Sequence, residues 1–248
     1  MSTILSNIKN AKNAIAVLID PEKTSDEPQL KSILEKASNA SIDFIFIGGS
    51  TVSSHVFQKT AACINKYSTI PLVIFPGSSQ QISEKADGLL YLSLLSGRNP
   101  DFLIGHHIDS AIELNEMDLE IIPTGYLLID GGTQSSVAYV SQTTPIPRSD
   151  LSIAKRTAIA GKLQGKQVLF LDAGSGAKHA VPTNMITAIK QVGLPLIIGG
   201  GIQTVDQIRE IHTAGANIAV IGNKIEADVD FLLEIKEYKN EGMESMMY

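Results

Sequence analysis

Two aspartates and two glycine clusters in this 248-residue chain stand where chemistry can be done. Asp20 follows the apolar run AVLI in LIDPEK, and Asp172 follows VLFL in FLDAGSGAKHAVP. Gly199-Gly200-Gly201 closes the run Leu194–Ile198, and Gly222-Asn223 closes Ile218–Ile221. Bare glycine backbone adopts positive φ and lets N–H groups close on a ligand. Loops of this kind after the last two strands of a (β/α)8 barrel form the phosphate site usual for that fold. A lone GGG reads first as a tight turn; the second glycine at the matching place is what points to phosphate.

The acidic residues have their own reading. A carboxylate at a strand end suits Mg²⁺, a hard cation that takes oxygen ligands and shares them with substrate phosphates. Ser50, in Gly48-Gly49-Ser50-Thr51 at the next strand end, offers a second oxygen. Asp20 is also the residue type that caps a turn before Pro21. Lys23 either meets an anion or is solvated. Asp172 is placed to polarise or deprotonate a substrate hydroxyl, or to cap the helix that follows. Behind it, Gly174-Ser175-Gly176-Ala177 can present N–H groups and a hydroxyl to phosphate; the alternative is a flexible loop.

Eight apolar runs of strand length position these residues: Ala14–Ile19, Asp43–Ile47, Leu72–Phe75, Gly88–Leu92, Tyr126–Ile129, Gln167–Leu171, Leu194–Ile198 and Ile218–Ile221. Their unbroken apolar character fits parallel strands buried on both faces. Helix-length stretches alternate with them: Gln29–Ala40, Val52–Lys66, Gln80–Lys85, Asp101–Asn115, Ser149–Leu163, Pro182–Gln191, Val205–Ala214 and Glu226–Tyr238. Gln80–Lys85 is short and poorly periodic. The longest irregular segment is Thr133–Arg148, rich in Ser, Thr and Pro. No linker divides the chain, so the expected fold is a single-domain α/β (β/α)8 TIM barrel over residues 1–248. A doubly wound sheet is the alternative; eight even units and glycine loops at strands seven and eight favour the barrel.

Composition narrows the partners. A net charge of −6 argues against nucleic acid, although a few local donors can still hold a small phosphorylated ligand. The single cysteine, Cys63, rules out an intrachain disulfide and fits a reducing cytosol. The first residues lack an apolar h-region and a cleavage site, and no run reaches membrane-spanning length. The expectation is a soluble, cytoplasmic protein. The histidines His55, His106, His107, His179 and His212 make no zinc spacing. All five read as structural or surface residues, with His179 the one near the site.

Six motifs taken together are specific: LIDPEK, Phe46–Thr51 (FIGGST), Pro123–Gly132 (PTGYLLIDGG), Leu171–Ala177 (LDAGSGA), Ile197–Ile202 (IIGGGI) and Ile221–Glu226 (IGNKIE). They resemble, in order and from Ala14 to Leu233, the geranylgeranylglyceryl phosphate synthase family. The resemblance implies a prenyltransferase that joins sn-glycerol 1-phosphate to a prenyl diphosphate, forming an ether and releasing pyrophosphate. It implies Mg²⁺ held through Asp20 and Ser50. It implies glycerol phosphate held by Leu171, Asp172, Ala173, Gly174, Ser175, Gly176 and Ala177 with Gly200, Gly201, Gly222 and Asn223, and Tyr126 at the glycerol. It implies a homo-oligomer, dimer or hexamer, and transient contact with a membrane surface at most. Two departures stand out. Phe170-Leu171-Asp172 replaces a frequent Tyr-Leu-Glu, and there is no Trp, so Phe, Tyr or aliphatic residues must close the prenyl groove. Leu89–Leu95 and Phe102–Ile104 are the candidates for its lining. A sugar- or indole-phosphate isomerase or lyase would explain the glycines but not DPEK or IGGS. A Schiff-base aldolase needs a strand-end Lys, and no strand candidate carries one. The departures also leave a catalytically inactive barrel as an alternative.

Overall fold

The computed structural model describes residues 3–24 and 26–244. Eight strands, β1 (Ala14–Ile19), β2 (Phe44–Ile47), β3 (Leu72–Ile74), β4 (Gly88–Leu94), β5 (Glu120–Leu128), β6 (Val168–Asp172), β7 (Leu196–Gly199) and β8 (Ile218–Ile221), form one closed parallel barrel in sequence order. The barrel closes through Ala14↔Ile218 to Val17↔Ile221. The fold is the expected (β/α)8 barrel.

Side chains alternate between two cores, as the strand repeat requires. Ala16, Phe46, Val73, Tyr126, Phe170, Ile197 and Val220 fill the barrel interior. Ile15, Ile45, Leu127, Leu171, Ile198 and Ala219 face outward into a layer shared with Leu34, Phe57, Ile186, Ile208 and Leu232 of the helices.

The helices are α1 (Ile4–Asn10), α2 (Glu27–Asn39), α3 (Ser54–Tyr67), α4 (His106–Glu116), α5 (Ser136–Ser141), α6 (Leu151–Leu163), α7 (Thr183–Lys190), α8 (Val205–Thr213), α9 (Asn223–Ala227) and α10 (Phe231–Glu244). Thr204 and Gln207 form a reciprocal cap at the start of α8. α1 was not anticipated. Ile4 and Ile8 join the barrel-interior core, and the Ile4 and Leu5 amides donate to Glu120 at 2.5 and 3.1 Å. A carboxylate at a helix N-terminus is favoured by the helix dipole.

Several expectations are corrected. The helix expected over Gln80–Lys85 does not form, and β3 runs into β4 through irregular chain. Gln81 explains this: it is fully buried, accepting from the Gly77 amide at 2.9 Å and donating to the Gly49 carbonyl at 2.7 Å. Tertiary hydrogen bonds there replace local helical ones. β5 starts six residues before the expected Tyr126, pairing with β4 from Gly88↔Glu120 to Leu94↔Tyr126. Pro123 inside that run masks the strand, because proline weakens a strand reading. The helix expected over Asp101–Asn115 opens with a π-helical turn at Asp101–Gly105. The segment Thr133–Arg148 contains α5. The last expected helix, Glu226–Tyr238, is two helices, α9 and α10, with Asp228 as the C-cap of α9.

His212 makes one fold contact sensitive to pH. Its Nε2 faces the Ala14 carbonyl at 3.1 Å and its Nδ1 faces the Tyr238 hydroxyl at 2.9 Å, joining β1, α8 and α10. Burial pushes the imidazole down to about 4, from 6.5. Below 6.5 the unfolded chain therefore binds the extra proton and the folded one does not, so stability is complete above 6.5 and lost as pH falls toward 4. The full loss corresponds to about 3 kcal/mol. Urea unfolding of wild type and His212→Gln at pH 7 and 4.5 is expected to show a smaller pH dependence in the variant. Parallel profiles would exclude His212 as the source.

Candidate active site

A cavity of about 320 Å³ opens at the C-terminal mouth of the barrel, where barrel enzymes keep their sites. It has three regions. Leu18, Asp20, Lys23, Gly49 and Ser50 bound the first, Ser175–Ala177, Gly199–Gly201, Gly222, Asn223 and Glu226 the second, and Ile82, Leu89, Leu92, Phe102, His106 and Leu114 the third.

In the first region, Asp20 Oδ1 accepts from the Glu22 amide at 3.1 Å, so the turn-capping reading of this residue is correct. Its Oδ2 lies 3.6 Å from Lys23 Nζ. The Asp20 carboxylate packs against Gly49, where an added Cβ would sit 2.8 Å from Oδ1. The loops after β1 and β2 thus bring Asp20 and the Gly49-Ser50 backbone side by side. Asp130, the acid of the PTGYLLIDGG motif after β5, does not join them. Its carboxylate accepts from Gly132 N at 2.9 Å, and it does not line the cavity. Among the described residues no cluster of three or more His, Cys, Asp or Glu could hold a metal. One carboxylate and one hydroxyl do suit Mg²⁺, which keeps several waters and takes substrate phosphate oxygens.

In the second region, Gly200 and Gly201 have φ of +79° and +71°. A Cβ on Gly200 would lie 2.5 Å from Asp172 Oδ1, 2.6 Å from Gly174 N and 2.8 Å from Ala173 N. The backbone after β6 and β7 is therefore in contact, and only glycine fits. Asn223 Oδ1 accepts from Ser175 Oγ at 3.0 Å and Gly176 N at 3.1 Å. These are donors of the type an anion takes.

Asp172 ends β6 pointing inward, 9% exposed. Its Oδ2 accepts from Tyr126 Oη at 2.6 Å and its Oδ1 from Gly174 N at 2.8 Å. Burial raises the Asp172 carboxyl, and the two hydrogen bonds partly offset that. The Tyr126 hydroxyl is held well above its usual value by burial and by the Asp172 charge. A carboxylate desolvated in a cleft is poised for proton transfer. Phe75, Tyr126 and Phe170 pack together beside it, with Phe75 stacked on Phe170 at 4.8 Å.

The expected residues Asp20, Ser50, Tyr126, Asp172, Ser175, Gly176, Ala177, Gly200, Gly201, Gly222 and Asn223 all border this cavity. Leu171, Ala173 and Gly174 do not. Leu171 faces the helix layer, as alternation about inward Phe170 and Asp172 requires. The reading of the histidines is corrected. His106 and His107 line the cavity and His179 does not; a Cβ on Gly132 would meet the His179 ring at 3.0 Å. His107 stacks on Tyr91 at 3.9 Å and its Nε2 lies 2.7 Å from the Leu92 carbonyl. Burial lowers its imidazole. Lys23, left open between meeting an anion and being solvated, meets the Asp20 and Glu226 carboxylates, while Gln81 and Glu226 were missed as parts of the site. Gln81 holds the Gly49 carbonyl and Glu226 holds Lys23, contacts between separate loops that no local spacing reveals.

The fold and the site define a (β/α)8 barrel whose mouth joins a glycine-lined backbone pocket to an apolar arm. The chain belongs to the PcrB family, whose model matches residues 7–239. It is 41% identical over 247 residues to the geranylgeranylglyceryl phosphate synthase of Spirosoma linguale, covering 99% of both chains. It is 37% identical to the protein of that name from Korarchaeum cryptofilum, covering 93% of this chain and 95% of the other. Among solved structures, (S)-3-O-geranylgeranylglyceryl phosphate synthase of Thermoplasma acidophilum, in complex with its substrate sn-glycerol-1-phosphate, matches with a TM-score of 0.87 and 34% identity. That match covers 95% of this chain and 96% of the other. No helix among the described residues is long and apolar enough to cross a membrane.

Proposed function

We propose that this protein is a geranylgeranylglyceryl phosphate synthase, which joins sn-glycerol 1-phosphate to a prenyl diphosphate and releases pyrophosphate. One observation carries the reading: a glycine cradle, the Asp20 and Asp172 carboxylates and an apolar arm share a single cavity. A small phosphorylated sugar would need the first two but has no use for the third. The named relatives support the same activity.

Ser175, Gly176, Gly200, Gly201, Gly222 and Asn223 bind the glycerol phosphate, and this binding orients the glycerol hydroxyl. Asp172 takes the proton from that hydroxyl as the ether oxygen attacks the allylic carbon. Tyr126 holds the carboxylate in place by its 2.6 Å hydrogen bond. Asp20 and Ser50 would hold Mg²⁺, and the ion would there supply positive charge to the pyrophosphate leaving group. The prenyl tail lies along Leu89, Leu92 and Phe102, within the stretches expected to line the groove. The reaction takes place in the cytoplasm by a homo-oligomer.

The test is turnover of radiolabelled geranylgeranyl diphosphate with sn-glycerol 1-phosphate, with and without Mg²⁺. An ether product that disappears with EDTA is expected. Asp20→Asn is expected to abolish turnover while leaving glycerol phosphate affinity within about twofold, because the contacts that shape the cradle, Asn223 with Ser175 and Gly176, do not involve Asp20. Near-wild-type turnover of the variant in saturating Mg²⁺ would remove Asp20 as the metal ligand.

A further inference from the structure

Glu226 joins the two polar regions of the cavity, 203 residues from the lysine it holds. Its Oε2 accepts from Lys23 Nζ at 3.0 Å and from Asn223 Nδ2 at 3.2 Å. Lys23 also lies 3.6 Å from Asp20. Asn223 turns its Oδ1 to Ser175 Oγ and Gly176 N. A continuous run of polar contacts therefore leads from the anion cradle, through Asn223 and Glu226, to Lys23 and the Asp20 carboxylate. The Glu226 side chain is only 14% exposed, so its two partners are not easily replaced by water.

In this arrangement Asn223 Oδ1 occupies donors that a phosphate oxygen would need. An incoming phosphate would compete with it for Ser175 Oγ and Gly176 N, and the amide that rests on Glu226 would move with it. Glu226 then keeps its charge with Lys23 as its remaining donor. The ammonium, 3.0 Å from Glu226 and 3.6 Å from Asp20, would then draw toward Glu226 and free the Asp20 oxygens for a cation. Of the two carboxylates that share Lys23, Glu226 is already the nearer.

We propose that Glu226 is a positioning residue that couples the two sites, so that an anion in the glycine cradle strengthens binding of a cation–diphosphate at Asp20. The inference rests on the proposed function for the identity of the two ligands. Reciprocity requires the same factor in both directions. For one shifted lysine–carboxylate contact in a half-buried site, that factor is expected to be about 5–10-fold, within the usual range of site–site coupling.

The experiment is calorimetry without turnover, using Mg²⁺-pyrophosphate and sn-glycerol 1-phosphate as the two probes. In wild type, saturating sn-glycerol 1-phosphate is expected to tighten Mg²⁺-pyrophosphate by about 5-fold or more. In Glu226→Gln, which keeps shape but not charge, the enhancement should fall below about twofold while each probe still binds alone. Glu226→Asp should retain part of it. Lys23→Met, at a half-exposed position, should abolish it equally and serves if Glu226→Gln does not fold. Equal enhancement in wild type and Glu226→Gln overturns the proposal, as does wild type that binds both probes independently. Wild type that does not bind sn-glycerol 1-phosphate at all would instead overturn the functional reading.

Discussion

Asp172→Asn is expected to lose about 10²–10⁴ in kcat, the usual share of general-base catalysis, with little change in the affinity of either substrate. The structure explains why catalysis and scaffold separate in this variant. An asparagine of the same shape can still accept from Gly174 N through its Oδ1, at the 2.8 Å contact. Its amide can donate to the Tyr126 oxygen in place of the 2.6 Å bond that the carboxylate accepts, because a phenol oxygen also accepts. The loop after β6 therefore keeps its form, and only the capacity to take a proton is lost. Single-turnover kinetics at saturating substrates measures this directly. Asp172→Glu puts in the longer carboxylate that the family resemblance leads one to expect. At a site 9% exposed, its extra methylene must displace packed neighbours, so partial activity is expected. Full activity of Asp172→Asn across pH 6–8 would make Asp172 a cap for Gly174 and a partner for Tyr126, with no part in proton transfer.

Gly200→Val is expected to raise the KM for sn-glycerol 1-phosphate by at least about tenfold, the effect of losing roughly one phosphate hydrogen bond. A Cβ at residue 200 falls within 2.8 Å of Asp172 Oδ1, Gly174 N and Ala173 N. It cannot be accommodated by moving a flexible side-chain end, because two of those atoms are backbone. The positive φ of +79° adds strain, about 1–2 kcal/mol for a residue with a Cβ. Some loss of thermal stability should therefore accompany the rise in KM, and Gly200→Ala should show a milder form of both. Circular dichroism, a thermal melt and a KM titration separate the two effects. Native dichroism with an unchanged KM would place the phosphate elsewhere.

The barrel itself was legible in the residues. Parallel strands buried on both faces must be apolar throughout, and all eight runs were visible for that reason; Ile218–Ile221 spans the same four residues in both readings. The positions of Asp20, Asp172, Gly200 and Gly222 followed, because residues directly after a barrel strand face the mouth. Local signals failed where a distant group supplied the bond. Gln81 dissolves the helix expected around it by satisfying Gly77 and Gly49. Pro123 hides the first half of β5, although its carbonyl still accepts from Gln167 N at 2.7 Å.

The site divides in the same way. The sequence by itself determined the carriers of chemistry: which strand ends have carboxylates, and which have backbone bare enough to approach a ligand. These are properties of a residue and its immediate neighbours. Only the tertiary structure decided which carriers meet. It turned Asp130 into a local turn cap and buried Leu171 behind the sheet. It brought His106 and His107 to the apolar arm and left His179 outside the cavity. It also set Lys23 against Glu226. Such pairings depend on strand order, on barrel closure and on the face each side chain takes, and no local spacing encodes a contact between residues that become neighbours only when β1 meets β8.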